Sequence, residues 1–236
     1  MRTRLVIAID GPSGVGKSTV AQMLAARLGY SYVESGAMYR AVALLALETG
    51  TDLRDGAALG RLAATAAIRF ETEGTRNRLL LGNRDITEAV RSPEVTEASS
   101  RVSVHAAVRA ELVARQRALG QDGGVVMEGR DIGTKVFPDA DLKLFLDASP
   151  EVRSERRFRD LADAGEITRA RVLSEMQERD RRDRERELSP LVPAEDSIYI
   201  DTTHLTADEV VERILGLVEK KLRDHSHGGT EAQRRS

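Results

Sequence analysis

The strongest constraint on the fold is the octapeptide GPSGVGKS at residues 11–18. It follows the apolar run LVIAI at residues 5–9, and after it apolar residues recur with helical spacing at Val20, Leu24 and Leu28. Glycine at its first, fourth and sixth positions lets the backbone curl, so that successive N–H groups point inward. A buried strand, a glycine-rich loop and a helix are therefore predicted in that order.

The octapeptide has the G-x-x-x-x-G-K-S pattern of a phosphate-binding loop. In such loops the lysine reaches the outer phosphates and the serine hydroxyl joins the coordination shell of Mg²⁺, while the positive end of the following helix adds to the anion site. A glycine-rich turn without a ligand is the alternative, and the flanking strand and helix argue against it. The predicted nucleoside triphosphate site consists of Gly11, Pro12, Ser13, Gly14, Val15, Gly16, Lys17, Ser18 and Thr19, with Ser18 as the metal ligand.

Further short apolar runs alternate with helical patterns along the chain. They occupy residues 32–33, 125–127, 142–146 and 198–200. This alternation predicts an α/β fold with a five-stranded parallel sheet flanked by helices, in which ligands bind beyond the carboxyl ends of the strands. Polar groups follow each run there: Asp10, Glu34 with Ser35, Glu128 to Asp131, Asp147 and Asp201.

A chain of 236 residues is long enough for one substantial core. We expect a single domain at 1–223, with its core at 1–40 and 120–223, and a disordered tail at 224–236 that has nothing to bury. The interval 41–119 exceeds what the sheet needs. We interpret it as an insertion that closes over a second substrate; the alternative is a structural decoration of the sheet edge.

Within the insertion the pattern alternates between helical and hairpin-like segments. It predicts helices near 41–47 and 57–67, a hairpin at 67–87 with Glu73 and Gly74 at its turn, and a long helical region at 93–119.

Residues 151–187 carry many charges of both signs and end in ERDRRDRER. The usual interpretation of such a run is a solvated helix with surface ion pairs. Arginine, however, is strongly favoured here over lysine, and its planar guanidinium can grip a phosphate through two hydrogen bonds. The segment is therefore a candidate lid over bound nucleotides, with the solvated helix as the alternative.

Composition limits the partners. A formal net charge of −2 argues against nucleic acid, which needs a basic face. The chain has no cysteine, so disulfides and thiolate metal sites are excluded, and no apolar run approaches the length of a membrane span. We expect a cytoplasmic monomer whose partners are small molecules.

Four motifs, in this order, resemble the nucleoside monophosphate kinases and, within them, the bacterial cytidylate kinase family. They are IDGPSGVGKST at 9–19, SGAMYR at 35–40, EGRDIGTKVFPDADLKLFLDAS at 128–149 and ERDRRDRERELSPLVPAEDS at 178–197. The resemblance spans nearly the whole chain apart from the C-terminal tail. It implies transfer of the γ-phosphoryl group of ATP to CMP, and to dCMP, with Mg²⁺ as cofactor.

The resemblance also implies roles for individual residues. It places Ser35, Arg40 and Arg130 at the acceptor phosphate, Ser100, Arg109 and Asp131 at the cytosine ring, Asp183 and Arg186 at the ribose and nearby groups, and Tyr39 and Gly129 within the same substrate site. We expect Lys17, Arg157, Arg179 and Arg184 to stabilise charge during transfer. Simpler roles remain open: Ser35 as a helix N-cap, Asp131 as a magnesium-shell or structural carboxylate, and Arg109 and Ser100 on a helix surface.

Other functions also fit a phosphate-binding loop. The nearest is a kinase with another acceptor, such as AMP, UMP or a small alcohol. A GTP-dependent switch would need an N-K-x-D guanine reader, but the only two asparagines, Asn77 and Asn83, are each followed by arginine. A structural protein that merely holds ATP is the third alternative.

Overall fold

The computed structural model of the chain describes residues 4–73, 76–160 and 168–232. The strands are β1 (Val6–Asp10), β2 (Ser31–Glu34), β3 (Ile68–Glu73), β4 (Arg76–Leu81), β5 (Arg84–Asp85), β6 (Val125–Gly129), β7 (Leu142–Asp147) and β8 (Ile198–Asp201). The helices are α1 (Lys17–Leu28), α2 (Ser35–Glu48), α3 (Gly56–Thr65), α4 (Pro93–Val102), α5 (Ala106–Leu119), α6 (Pro150–Asp160), α7 (Arg169–Glu185) and α8 (Ala207–Ala232).

Five of these strands form one parallel sheet in the order β2-β6-β1-β7-β8, which confirms the predicted fold class. Each residue of β1, the central strand, is buried, as a continuous apolar run predicts. The register aligns the strand ends, pairing Asp10 with Gly129 and Glu34 with Glu128. The polar groups that follow these strands therefore lie along one edge of the sheet.

The phosphate-binding loop connects β1 to α1 and needs glycine at two close approaches. A Cβ atom at Gly11, where φ is 150°, would lie 2.1 Å from the carbonyl oxygen of Leu146. At Gly14, where φ is 73°, it would lie 2.7 Å from the carbonyl oxygen of Arg153 on α6. Both glycines have backbone angles that other residues rarely adopt, so the loop depends on them for its shape and for its packing on β7 and α6.

The insertion between α2 and β6 has a hydrophobic core of its own, in which α2 packs on α4 and α3 on α5. The predicted hairpin is β3 and β4, extended by β5 into an antiparallel sheet; Gly74 of its turn lies outside the described residues. The helical region predicted at 93–119 is present as two helices, α4 and α5, instead of one. The helical conformation is interrupted at 103–105, where the His105 ring forms a 2.9 Å hydrogen bond with the carbonyl oxygen of Leu53.

The predicted lid segment contains α6 and α7, and its residues 161–167 lie outside the described part of the chain. The solvated-helix interpretation holds for one side of α7, where Arg171 pairs with Glu175 at 2.8 Å and both side chains are exposed. Another side is buried at Val172, Met176 and Asp180. Helix α7 is therefore packed against the protein along its length.

Helix α8 is described as far as Ala232. The disorder expected for the tail at 224–236 stays a prediction. Residues 233–236 lie outside the described residues. No helix in the described ranges combines the length and the apolar character needed to cross a bilayer.

Candidate active site

A cavity of about 1000 Å³ lies at the carboxyl edge of the parallel sheet. Its wall is formed by the phosphate-binding loop, the ends of β2 and β6, the insertion helices α4 and α5, and helices α6 and α7 of the predicted lid segment. The insertion and the predicted lid segment therefore line the same cavity as the phosphate-binding loop. This volume falls at the upper end of the range usual for small-molecule sites.

Lys17 is the first residue of α1 and is only 6% exposed. Its Nζ donates a hydrogen bond of 2.7 Å to the carbonyl oxygen of Pro12. Burial, followed by the nearby positive charge of Arg130, lowers the pKa of Lys17 to about 7. The negative charges of Glu128 and Asp10 oppose this shift only in part, so an anionic ligand would raise the pKa of Lys17 and favour its charged form.

Ser18 donates a 2.8 Å hydrogen bond from its Oγ to Oε1 of Glu128 at the end of β6. Glu128 is buried, and burial raises its pKa. Sequence reasoning placed Glu128 at a strand end but gave it no role. Glu128 lies on β6, which pairs with β1, the strand that leads into the phosphate-binding loop. This position is the signal that could have indicated a role for Glu128 at the phosphate site.

Asp10 is a second buried carboxylate that sequence reasoning left without a role. It accepts hydrogen bonds from the backbone N–H groups of Ile132 at 2.8 Å and Gly133 at 2.7 Å. Burial raises the pKa of Asp10 to about 6, although these two donors oppose the shift. The contacts fasten the backbone after Asp131 to the central strand.

Arg109, Asp131 and Arg186 meet on one wall of the cavity. Arg109 on α5 donates from Nη2 to Oδ2 of Asp131, and both side chains are buried. Arg186 lies 3.7 Å from the other carboxylate oxygen of Asp131. The Arg109 guanidinium also lies 5.6 Å from the ring centroid of Tyr39, whose pKa is raised to about 12 by burial. The surface alternative for Arg109 is wrong, while Ser100 is half-buried and lines the cavity.

A second ion pair joins α7 to the sheet edge. Arg130 donates from Nε to Oδ2 of Asp183 on α7 at 2.7 Å. Arg179 lies one turn earlier on α7 and also lines the cavity. Burial, and then the positive charge of Arg130, lower the pKa of Arg179 to about 10. The arginines that line this cavity outnumber the carboxylates, so their positive charge is only partly neutralised by side chains of the site.

The segment at the start of α2 supplies a further group of polar side chains. Arg40 donates to Oε1 of Glu34, and both line the cavity. The Ser35 hydroxyl donates a 2.8 Å hydrogen bond to the carbonyl oxygen of Glu128. The N-cap alternative for Ser35 is wrong, because Glu34 occupies the N-cap position and Ser35 is the first helical residue. Gly129 is in close contact here, since a Cβ atom at this position would lie 2.4 Å from the Ser35 Oγ.

The two remaining predicted arginines lie in different environments. Arg157 on α6 lines the cavity, whereas Arg184 on α7 is exposed and does not. On an α-helix Arg184 follows Arg179 by five residues, which turns it well away from the cavity face. Arg156, which sequence reasoning missed, lines the cavity and donates to the carbonyl oxygen of Thr202 at 2.7 Å.

The sequence pattern of the family described as cytidylate kinase matches residues 7–220. A cytidylate kinase of Pelotomaculum thermopropionicum is 49% identical over 220 residues, which cover 92% of this chain and 97% of that protein. One of Exiguobacterium sibiricum is 48% identical over 221 residues, covering 93% and 99%.

Among solved structures, a gluconokinase from Sinorhizobium meliloti has a TM-score of 0.50 at 16% identity and covers 97% of this chain and 99% of that one. This likeness concerns the fold alone. The sequence relationships are far closer and extend over almost the whole length of both proteins. The chain belongs to the cytidylate kinase family.

Proposed function

We propose that this protein transfers the γ-phosphoryl group of ATP to CMP, and to dCMP, giving ADP and CDP or dCDP. The observation that carries the proposal is the buried pair of Arg109 and Asp131 with the partly buried Arg186 beside it, which lines the same cavity as the phosphate-binding loop. Membership of the cytidylate kinase family supports it. A cytoplasmic location and a monomeric state stay predictions from the sequence.

The donor is held by the loop between β1 and α1, where backbone N–H groups and the start of α1 meet the phosphates. Lys17 moves from its hydrogen bond with Pro12 to the transferred group and neutralises the charge there. On the acceptor side Arg40 and Arg130 bind the monophosphate, with Ser35 beside them. The attacking oxygen of a monophosphate is already anionic, so this reaction needs no general base.

The base is recognised by charged groups that can present both donors and acceptors. Cytosine offers an amino donor at N4 and acceptors at N3 and O2. The carboxylate of Asp131 can accept from the amino group, and the guanidinium of Arg109 can donate to the ring acceptors. Their mutual ion pair holds the two side chains in place before the base arrives.

Transfer places negative charge between the two nucleotides, and the lid contributes the compensating cations. Arg157 from α6 and Arg179 from α7 line the cavity near the phosphate-binding loop. Asp183 orients Arg130 through their 2.7 Å hydrogen bond. Its carboxylate also accepts hydrogen bonds from the ribose hydroxyl groups of the acceptor. Arg184 is not part of this set because its side chain is turned toward solvent.

The residues around Ser18 suit a magnesium ion. Among the described residues no group of three or more histidine, cysteine or acidic side chains is arranged to hold a metal. Mg²⁺ in kinases commonly binds one or two protein oxygens together with phosphates and water. The Ser18 hydroxyl would bind it, and the Glu128 carboxylate, 2.8 Å from that hydroxyl, would orient the shell. When bound, the ion neutralises charge on the donor phosphates.

A panel of acceptors tests the proposed function. We expect rapid ADP formation with CMP and dCMP, slow formation with AMP and UMP, and background ATP hydrolysis alone without an acceptor, measured in a coupled assay. Asp131→Asn should lower kcat/KM for CMP by ten-fold or more while leaving the Kd of ATP within about threefold of the parent, because it removes one charge from a buried pair. If AMP proves the better acceptor, the choice of CMP is wrong and the kinase assignment stands; if no monophosphate stimulates ADP formation, the kinase assignment is wrong.

The lowered pKa of Lys17 predicts that ATP binding takes up a proton. At pH 8 the free protein holds Lys17 mostly neutral, since its pKa is about 7, and the ATP phosphates raise that pKa again. The part of the uptake that Lys17 contributes, measured as the difference between the parent and Lys17→Met, should approach about one proton at pH 8 and become small near pH 6, where Lys17 is already protonated. Calorimetry in two buffers of different ionisation enthalpy measures it. Lys17→Met should abolish this part of the uptake, and an unchanged uptake in that variant would assign the proton to another group.

A further inference from the structure

Arg153 connects the phosphate-binding loop to the lid. It lies on α6 and is only 5% exposed. Its Nε donates to the carbonyl oxygen of Ala148 at 3.1 Å, while its Nη1 donates both to the carbonyl oxygen of Ser13 at 3.1 Å and to Oδ2 of Asp180 on α7. One buried guanidinium therefore contacts the loop that would hold the donor phosphates and the helix that lines the other side of the cavity.

Helix α7 presents one face to the protein interior and another to the cavity. Val172, Met176 and Asp180 are spaced four residues apart and are buried. Met176 packs directly on the loop, since a Cβ atom at Gly14 would lie 2.8 Å from its Cε. On another face, Arg179 and Asp183 line the cavity. The packing of α7 on the loop therefore determines the distance from the loop to Arg179 and Asp183.

The ion pair of Arg153 and Asp180 takes no part in the cavity wall. Both side chains are 6% exposed, and Oδ1 of Asp180 has no hydrogen-bond partner among the described residues. Burying two charges with one oxygen left unpaired adds little to stability, because desolvation offsets the attraction. The presence of this ion pair is therefore explained better by the position in which it holds the loop and α7 than by a contribution to the free energy of unfolding.

We propose that Arg153 and Asp180 are positioning residues, which hold the donor loop and α7 at the separation that in-line phosphoryl transfer requires. This inference rests on the proposed kinase function. In-line transfer depends almost wholly on placement and charge, and a displacement of about 1 Å can cost roughly 100-fold in rate. Loss of the pair should therefore affect the transfer step more than the binding of either nucleotide alone.

The double variant Arg153→Met/Asp180→Leu tests this inference. It replaces the charges with apolar side chains of similar size, so that no buried charge is left alone, but it removes the link to Ser13. We expect kcat with CMP to fall at least tenfold. The Kd values of ATP and CMP, each measured alone by calorimetry, should stay within threefold of the parent. The matched control is Arg171→Met/Glu175→Leu, which replaces an exposed arginine–carboxylate pair on α7 with the same two apolar residues, and it should keep parental kcat.

Two results would overturn the inference: a kcat within threefold of the parent in a folded double variant, or a loss confined to the Kd of one nucleotide. If the double variant fails to melt cooperatively, Asp180→Asn and Arg153→Lys serve in its place. Each keeps side-chain volume and should show the same split between kcat and Kd, with Arg153→Lys less impaired because it keeps the charge opposite Asp180. A parent protein that does not phosphorylate CMP contradicts the proposed function instead, and the parent's own best acceptor then replaces CMP in these measurements.

Discussion

We expect Lys17→Met to lower kcat for CMP phosphorylation by at least 100-fold while the protein stays folded. Lys17 is only 6% exposed, so the substitution is made at a buried position. Methionine fills a similar volume without a charge to desolvate, and the melting temperature should therefore be unchanged or higher. The loss of activity arises because removal of one preorganised charge at a transferring group costs about 3 kcal/mol of transition-state stabilisation.

The control for this variant is Lys220→Met, an exposed lysine on α8 far along the chain from the loop. It should match the parent in both kcat and melting temperature. Single-turnover kinetics at saturating ATP and CMP separates the transfer step from binding. A turnover of Lys17→Met within about threefold of the parent, under roughly 0.7 kcal/mol, would show that Lys17 does not act on the transferred phosphoryl group.

The parallel sheet and its loop could be predicted because their signals are local. A short apolar run followed by GPSGVGKS and an amphipathic segment specifies strand, loop and helix with few alternatives. The same logic correctly placed the polar strand-end groups at one edge of the sheet, since parallel strands bring their carboxyl ends together. The break at 103–105 was missed, since apolar periodicity continues on both sides of it and the contact with Leu53 is long-range.

The pairings inside the site could not be predicted from local pattern, because their partners are far apart in sequence. Arg130 and Asp183 are 53 residues apart, and Arg153 and Asp180 are 27 apart. Sequence gives the charge of each group, but only the packing of α7 on the loop decides which pair is buried. For the same reason the sequence does not distinguish Arg184 from Arg179 and Arg186, although Arg184 is exposed and the other two line the cavity.

Helix α7 offers the sharpest comparison between neighbouring arginines. Arg179 and Asp183 line the cavity, and Arg186, directly after the helix, lies beside Asp131. Arg182 is instead exposed, with its Nε 3.5 Å from Glu178 on the same surface. Exposed pairs of this kind contribute about 0 to 1 kcal/mol, so the two environments predict very different effects of substitution.

We expect Arg179→Ala, Asp183→Ala and Arg186→Ala each to lower CMP-dependent kcat by well over tenfold, and Arg182→Ala to remain within about twofold of the parent. For Arg179 the cause is loss of a cation at the transferred charge. For Asp183 and Arg186 it is the release of Arg130 and Asp131 from their oriented contacts. Turnover at saturating ATP and CMP, with a thermal melt of each variant, measures the contrast. A solvated helix with no part in the reaction would give four similar small effects, and an Arg182→Ala variant as impaired as the other three would exclude the lid role of α7.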